Sequence, residues 1–231
     1  MSYSTLANNY HVTKEKISLF EKRYQRQPGE ICLVAASKTR SAEEIRAMAE
    51  LGQRHFGENY VQESLDKIAQ LTDIPLIWHF IGPIQKNKTK LIAQHFHWVH
   101  SIDRDVIATR LNDQRPDSLP NLNACIQINI DNEDSKSGIA TDEAFELASV
   151  INQLPNLTLR GLMAIPSATD DIDQQACAFK KMTTLFTQLK QRYPDIDTLS
   201  MGMSGDFEAA IANGSTMIRI GTALFGPRNY T

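Results

Sequence analysis

Short runs rich in β-branched residues alternate along the chain with longer stretches whose apolar positions recur every three or four residues. That alternation predicts β/α units around a parallel sheet. Residues 31–38, Ile-Cys-Leu-Val-Ala-Ala-Ser-Lys, form the first run, and Lys38 closes it. Ser41 then reads as a helix cap, with Glu44 completing a capping box and Gly52 ending the helix. A short second strand is predicted at 55–57, followed by a helix over about 60–71. Strand three covers 76–81 and stops at Gly82-Pro83, before a helix carrying Lys86, Lys88 and Lys90. Strand four is 98–102, with Asp103 as the cap of the next helix. Residues 123–130 alternate most clearly, as a barrel wall does, and a polar loop over 131–138 separates them from a helix at 142–154. Strand six at 157–165, a long helix at 174–192, strand seven at 198–203, a short helix at 207–213 ended by Gly214, and strand eight at 217–220 complete the pattern.

Eight strands with intervening helices predict an α/β protein, a single (β/α)8 TIM barrel. A leading N-terminal helix over about 6–26 would cover the outside where strand eight lacks a long helix. With no repeat, linker or low-complexity tract, residues 1–231 read as one domain. An open doubly wound sheet is the competitor. It calls for a glycine-rich first turn, whereas Ser37-Lys38-Thr39-Arg40 has no glycine.

Composition narrows the classes. Hydrophobic residues make up 42% and charged residues 22%, the balance of a globular protein. A net charge of −3 gives no electrostatic reason to expect nucleic acid or an anionic membrane. The first 20 residues carry polar side chains throughout, so no signal peptide is expected, and no run approaches a spanning helix. Cys32 and Cys125 fall in apolar strands and, with Cys177, form no C-x-x-C, which points to reduced thiols and a cytoplasmic location.

In such a barrel, ligands sit at the C-terminal strand ends, with phosphate after strands seven and eight. Ser204-Gly205 and Gly221-Thr222 stand there, offering backbone N–H groups and hydroxyls. Each pair alone reads as a tight turn; two at the two expected places read as a phosphate cradle. Closure brings strand one beside strand eight, so Lys38 meets that cradle. A lysine amine, its pKa of about 10.4 lowered by burial and nearby cations, beside a phosphate site is the equipment for holding pyridoxal phosphate as an imine. The bland reading is a strand-end lysine in solvent. Arg219 lies within strand eight, where an inward guanidinium needs an acceptor. A pyridine nitrogen would serve, as would Asp206 or Glu208.

Other features carry less. His79 lines the mouth or is a satisfied strand-end histidine, and Lys136 either attracts a substrate carboxylate or joins a solvated charged loop. The cluster His95, His97, His100 lacks a metal-binding spacing, so no metal is expected. Met201 and Met203 read as core, and Lys86, Lys88 and Lys90 as a solvated face. Gly202-Met203-Ser204-Gly205-Asp206 misses the last glycine of a nucleophile elbow, and no histidine follows it, which excludes a serine hydrolase.

The segments 33–39, 55–63, 78–82, 200–204 and 219–226, Leu-Val-Ala-Ala-Ser-Lys-Thr through Arg-Ile-Gly-Thr-Ala-Leu-Phe-Gly, resemble the pyridoxal phosphate homeostasis protein family. The resemblance runs in order from about Ile31 to the C-terminus. It implies a barrel like the N-terminal domain of alanine racemase, with pyridoxal 5′-phosphate as cofactor and no established catalysis. It further implies Lys38 as the imine lysine, Ser204, Gly221 and Thr222 as phosphate ligands, Arg219 facing the pyridine nitrogen, and Asn59 as a polar contact. Storage, buffering or delivery of the cofactor is the expected function, with pyridoxal phosphate-dependent apo-enzymes as candidate recipients. No catalytic residue is assigned. A solvent-open amino-acid racemase is the enzyme alternative; a Schiff-base aldolase for phosphosugars would use the same lysine but stay colourless. Because the chain ends at Thr231, soon after strand eight, a partner β-domain is not expected, nor a dimer built on one.

Overall fold

The structure, a computed structural model, describes residues 2–131, 133, 137–167, 169 and 171–227. Lys136 therefore lies outside the described residues. Eight parallel strands close into a barrel in chain order. They are β1 (Cys32–Ala36), β2 (His55–Glu58), β3 (Ile77–Phe80), β4 (Trp98–Ile102), β5 (Leu122–Ile128), β6 (Leu157–Ala164), β7 (Thr198–Ser200) and β8 (Met217–Ile220). The register Val34↔Arg219 and Ala35↔Ile220 seals β1 to β8. The expected TIM barrel is present, and the open sheet is excluded.

The helices are α1 (Tyr3–Arg23), α2 (Ala42–Glu50), α3 (Val61–Gln70), α4 (Thr89–His95), α5 (Asp105–Asp113), α6 (Ala144–Asn152), α7 (Ile172–Arg192), α8 (Phe207–Ala212) and α9 (Thr222–Phe225). Strand alternation divides the core into two layers. In β1, Leu33 and Ala35 join the layer between strands and helices, while Val34 joins Trp98, Cys125, Met163 and Met217 inside the barrel. At the N-terminal strand ends Arg160 stacks on Trp98 at 4.6 Å and pairs with Asp197, plugging that mouth. Because α9 has a single turn, α1 covers the remaining wall: Leu6, Tyr10, Ile17 and Phe20 are buried, and Asn9 donates to the Leu224 carbonyl at 3.0 Å. Among the described residues no helix is long and apolar enough to cross a membrane.

Ser41 and Glu44 form the expected capping box on α2. Asp103 does not cap α5. Its carboxylate takes the Arg104 guanidinium at 2.9 Å, Arg104 is the N-cap, and the helix starts at Asp105. β1 stops at Ala36, so Lys38 stands in the turn beyond the strand rather than at its end. β7 is shorter than the apolar run because Gly202, at φ +100°, turns the chain out of the sheet; a Cβ there would meet Ala210 at 2.6 Å.

Candidate binding site

A cavity of about 250 Å³ opens at the C-terminal ends of the strands. Lys38, Asn59, Ser204, Arg219, Gly221 and Thr222, the six residues singled out in the sequence, all line it. Ala36, Arg40, Ile81, Ile165, Met203 and Gly205 complete the wall.

The turn bearing Lys38 is held from below by a buried ionic network. Ser37 N–H bonds to the Gly57 carbonyl at 2.9 Å, and its hydroxyl donates to Glu58 Oε1 at 2.6 Å. Lys67 on α3 reaches the Ser37 carbonyl at 2.9 Å, Glu58 at 2.8 Å and Glu63 at 2.5 Å. Glu63 in turn accepts the Thr39 N–H at 2.7 Å, fixing Thr39 in the left-handed region at φ +65°. Burial pushes the Glu58 carboxyl upward, and Lys67 and Ser37 oppose that shift.

Asn59 follows β2, and Gly82 makes its position possible: a Cβ on Gly82 would lie 2.6 Å from the Asn59 carbonyl oxygen. The Asn59 Oδ1 atom is buried without a hydrogen-bond partner. An orphaned acceptor of this kind is rare in folded proteins and marks a place where a donor belongs.

Opposite, the Ser204 hydroxyl accepts the Ala223 N–H at 3.2 Å, tying the turn after β7 to the first turn of α9. The Asp206 carboxylate accepts the Met203 N–H at 2.5 Å. Desolvation raises the Asp206 carboxyl, against the opposing pull of that hydrogen bond and of Arg219. Arg219 is buried, with its guanidinium donating to Ser200 Oγ at 2.6 Å and to the Ala164 carbonyl at 2.9 Å. Burial pulls its pKa down to about 10, with Asp206 and Cys125 pushing back. Its hydrogen-bond acceptors are Ser200 and Ala164. Glu208 instead pairs with Arg23 and Tyr24 on α1.

His79 does not line the mouth. It is fully buried inside the barrel, stacked on Trp98 and bonded to His55 and His100. His97 accepts the Trp78 N–H at 3.0 Å, and among the described residues no group of three metal-binding side chains is placed to hold a metal ion. Met201 is core as expected, while Met203 is 36% exposed and faces the cavity. Ile81, Ile165 and Arg40 escaped the sequence reading because an apolar strand end and a loop arginine carry no signal of their own. A larger groove of about 940 Å³ lies outside, lined from α6 and α7. It sits away from the strand ends, and its mixed lysines and aspartates do not converge as the mouth residues do.

A family model described as alanine racemase, N-terminal domain, matches residues 13–229. The pyridoxal phosphate homeostasis protein of Escherichia coli K12 is 55% identical over 229 residues, 98% of each chain. That of Vibrio cholerae is 51% identical, covering 97% of this chain and 96% of its own. Among solved structures, PipY of Synechococcus elongatus PCC7942 with PLP bound is 33% identical, with a TM-score of 0.83 over 96% of this chain and all of its own. Corynebacterium glutamicum alanine racemase, 16% identical with a TM-score of 0.69 over 62% of its length, shares the fold.

Proposed function

The chain belongs to the pyridoxal phosphate homeostasis protein family, and from that premise we propose that it binds pyridoxal 5′-phosphate at the barrel mouth and contributes to its homeostasis. The observation that carries this reading is one cavity joining an amine, two small donor-rich turns and a buried arginine. A relative matched over 96% of this chain, PipY, has been solved with PLP bound.

The donor set fits the cofactor. Lys38 would hold the cofactor's aldehyde carbon through its amine. Ser204, Gly221 and Thr222 offer hydroxyl and backbone donors for the phosphate. Arg219 would face the pyridine nitrogen. Asn59 Oδ1, which is buried without a donor, suits the ring hydroxyl. Bound, the cofactor supplies an electrophilic carbonyl and an electron sink. The protein's residues decide whether that chemistry runs. An arginine beside the pyridine nitrogen repels a proton there and weakens the sink. Among the described residues, the polar lining besides Lys38 consists of alcohols, an amide and arginines, none of which exchanges protons near neutral pH. Two-sided proton exchange, which racemisation needs, therefore has one hand. The reading is a holder of the cofactor that stores, buffers or delivers it without turnover. Apo-enzymes that use pyridoxal phosphate are the natural recipients, and the working unit is a monomer made of one domain over residues 1–231.

The test is the visible spectrum of the pure protein before and after borohydride, with peptide mapping. An imine band lost on reduction, with the label on Lys38, is expected. A protein left colourless and unlabelled by pyridoxal phosphate would overturn the assignment. Alanine racemisation that disappears in Lys38→Ala would turn the holder into an enzyme.

A further inference from the structure

Four hydrogen bonds cross the inside of the barrel in single file. Arg219 donates to Ser200 Oγ at 2.6 Å; Ser200 Oγ lies 2.8 Å from His100 Nδ1; His100 Nε2 lies 2.9 Å from His79 Nδ1; and His79 Nε2 lies 2.9 Å from His55 Nδ1. The members come from β8, β7, β4, β3 and β2. Ser200, His79 and His100 are fully buried, and His55 is half-buried at the N-terminal end of β2, the mouth opposite the cavity. Such a row of imidazoles is costly in an apolar interior unless each nitrogen is matched.

Donor chemistry gives the row a direction. A guanidinium only donates, so Ser200 Oγ accepts from Arg219. The Ser200 hydroxyl proton then has His100 Nδ1 as its acceptor. The reverse arrangement would leave a buried hydroxyl proton with no acceptor. His100 Nδ1 is thus bare, and a neutral ring carries its proton on Nε2. The same logic passes to His79 and to His55. Burial and their neighbours' charges hold His79 and His100 well below the ordinary histidine pKa, so the rings are neutral.

We propose that Ser200, His100, His79 and His55 form a one-way, tautomer-locked chain of positioning residues that holds Arg219 from behind, with every donor pointing away from the cavity. The proposal rests on the reading of Arg219 as the residue facing the cofactor's ring nitrogen. Under it the barrel interior offers that nitrogen no proton, and an arginine that turned away would forfeit its buried hydrogen bond to Ser200.

The test is 15N NMR of the full-length protein labelled in histidine, before and after pyridoxal phosphate is added. Bare and protonated imidazole nitrogens resonate in well-separated ranges. Bare Nδ1 and protonated Nε2 on all three rings are expected; an Nδ1–H tautomer or an imidazolium among them at neutral pH would sink the chain. Ser200→Ala removes the director, so His79 and His55 are expected to lose their single tautomer although neither touches Ser200. A change confined to His100 would reduce Ser200 to a local packing role. On the loaded protein the same variant is expected to release cofactor about tenfold more readily, the scale of one lost hydrogen bond to a charged group. Unaltered retention would remove the link to Arg219. If no cofactor binds at all, the function reading fails, while the tautomers of the free protein still decide the chain.

Discussion

Lys38 stands on a turn made rigid by residues that have no part in its chemistry. Its neighbour Thr39 is held at φ +65° by Glu63, and Ser37 by Glu58 and Lys67. Lys38→Ala is therefore expected to abolish the borohydride-trapped imine while leaving the thermal midpoint of the cofactor-free protein unmoved, as read by circular dichroism. Ser204→Ala and Thr222→Ala should each weaken cofactor retention by about 1.5–3 kcal/mol, the range for a hydrogen bond to a charged group. Equilibrium dialysis showing wild-type retention in both would refute the phosphate assignment. Asn59 separates binding from stability. Its orphaned acceptor costs the empty protein desolvation and repays that only with a ligand donor. Asn59→Ala should bind cofactor more weakly without lowering the urea midpoint of the empty protein.

At the scale of elements, α3 is the support under the site. Lys67 is 95% buried, and its ammonium is shared between Glu58 and Glu63. Lys67→Met strands the fully buried Glu58 carboxylate, and a loss of about 3–5 kcal/mol is expected in urea unfolding. Adding Glu58→Gln should recover much of it; no recovery would mean that the Lys67 stem, not its charge, carries the effect. Glu58 and Lys67 lie outside the sequence assignments because an acidic strand end and a helical lysine look solvated until closure buries them. The strands, the α2 cap and the six cavity residues were legible, since period, capping chemistry and the barrel's strand-end rule are local or topological. Asp103 misled because a carboxylate before a helix competes between backbone donors and an adjacent arginine, and Arg104 won. His79 was open between the mouth and a satisfied strand-end histidine, and it is the second. Which way a strand-end side chain points depends on where the strand stops, and β3 runs on to Phe80.

For the molecule as a whole, the buried imidazoles set the acid limit. His79 and His100 are held neutral in the native protein by burial, whereas in the unfolded chain they titrate near 6.5. Below that value the unfolded chain binds protons the native one refuses, so stability falls as pH drops. Each ring adds up to about 1.4 kcal/mol per pH unit until its own lowered native pKa is reached. Urea midpoints at pH 7, 6 and 5 should decline with that sense; a flat profile would mean the rings are charged or exposed. The seam between β1 and β8 has a consequence for synthesis. Arg40 grips the carbonyl of Gly226 across 186 residues, and Asn9 that of Leu224 across 215. On the ribosome, Lys38 emerges early, long before the turns after β7 and β8 that line the same cavity. Closure entropy grows only slowly with span, but the seam cannot form before β8 has been made. Under the proposed function, nascent chains stalled before β8 should leave the tunnel with the Lys38 amine but without the cofactor's colour.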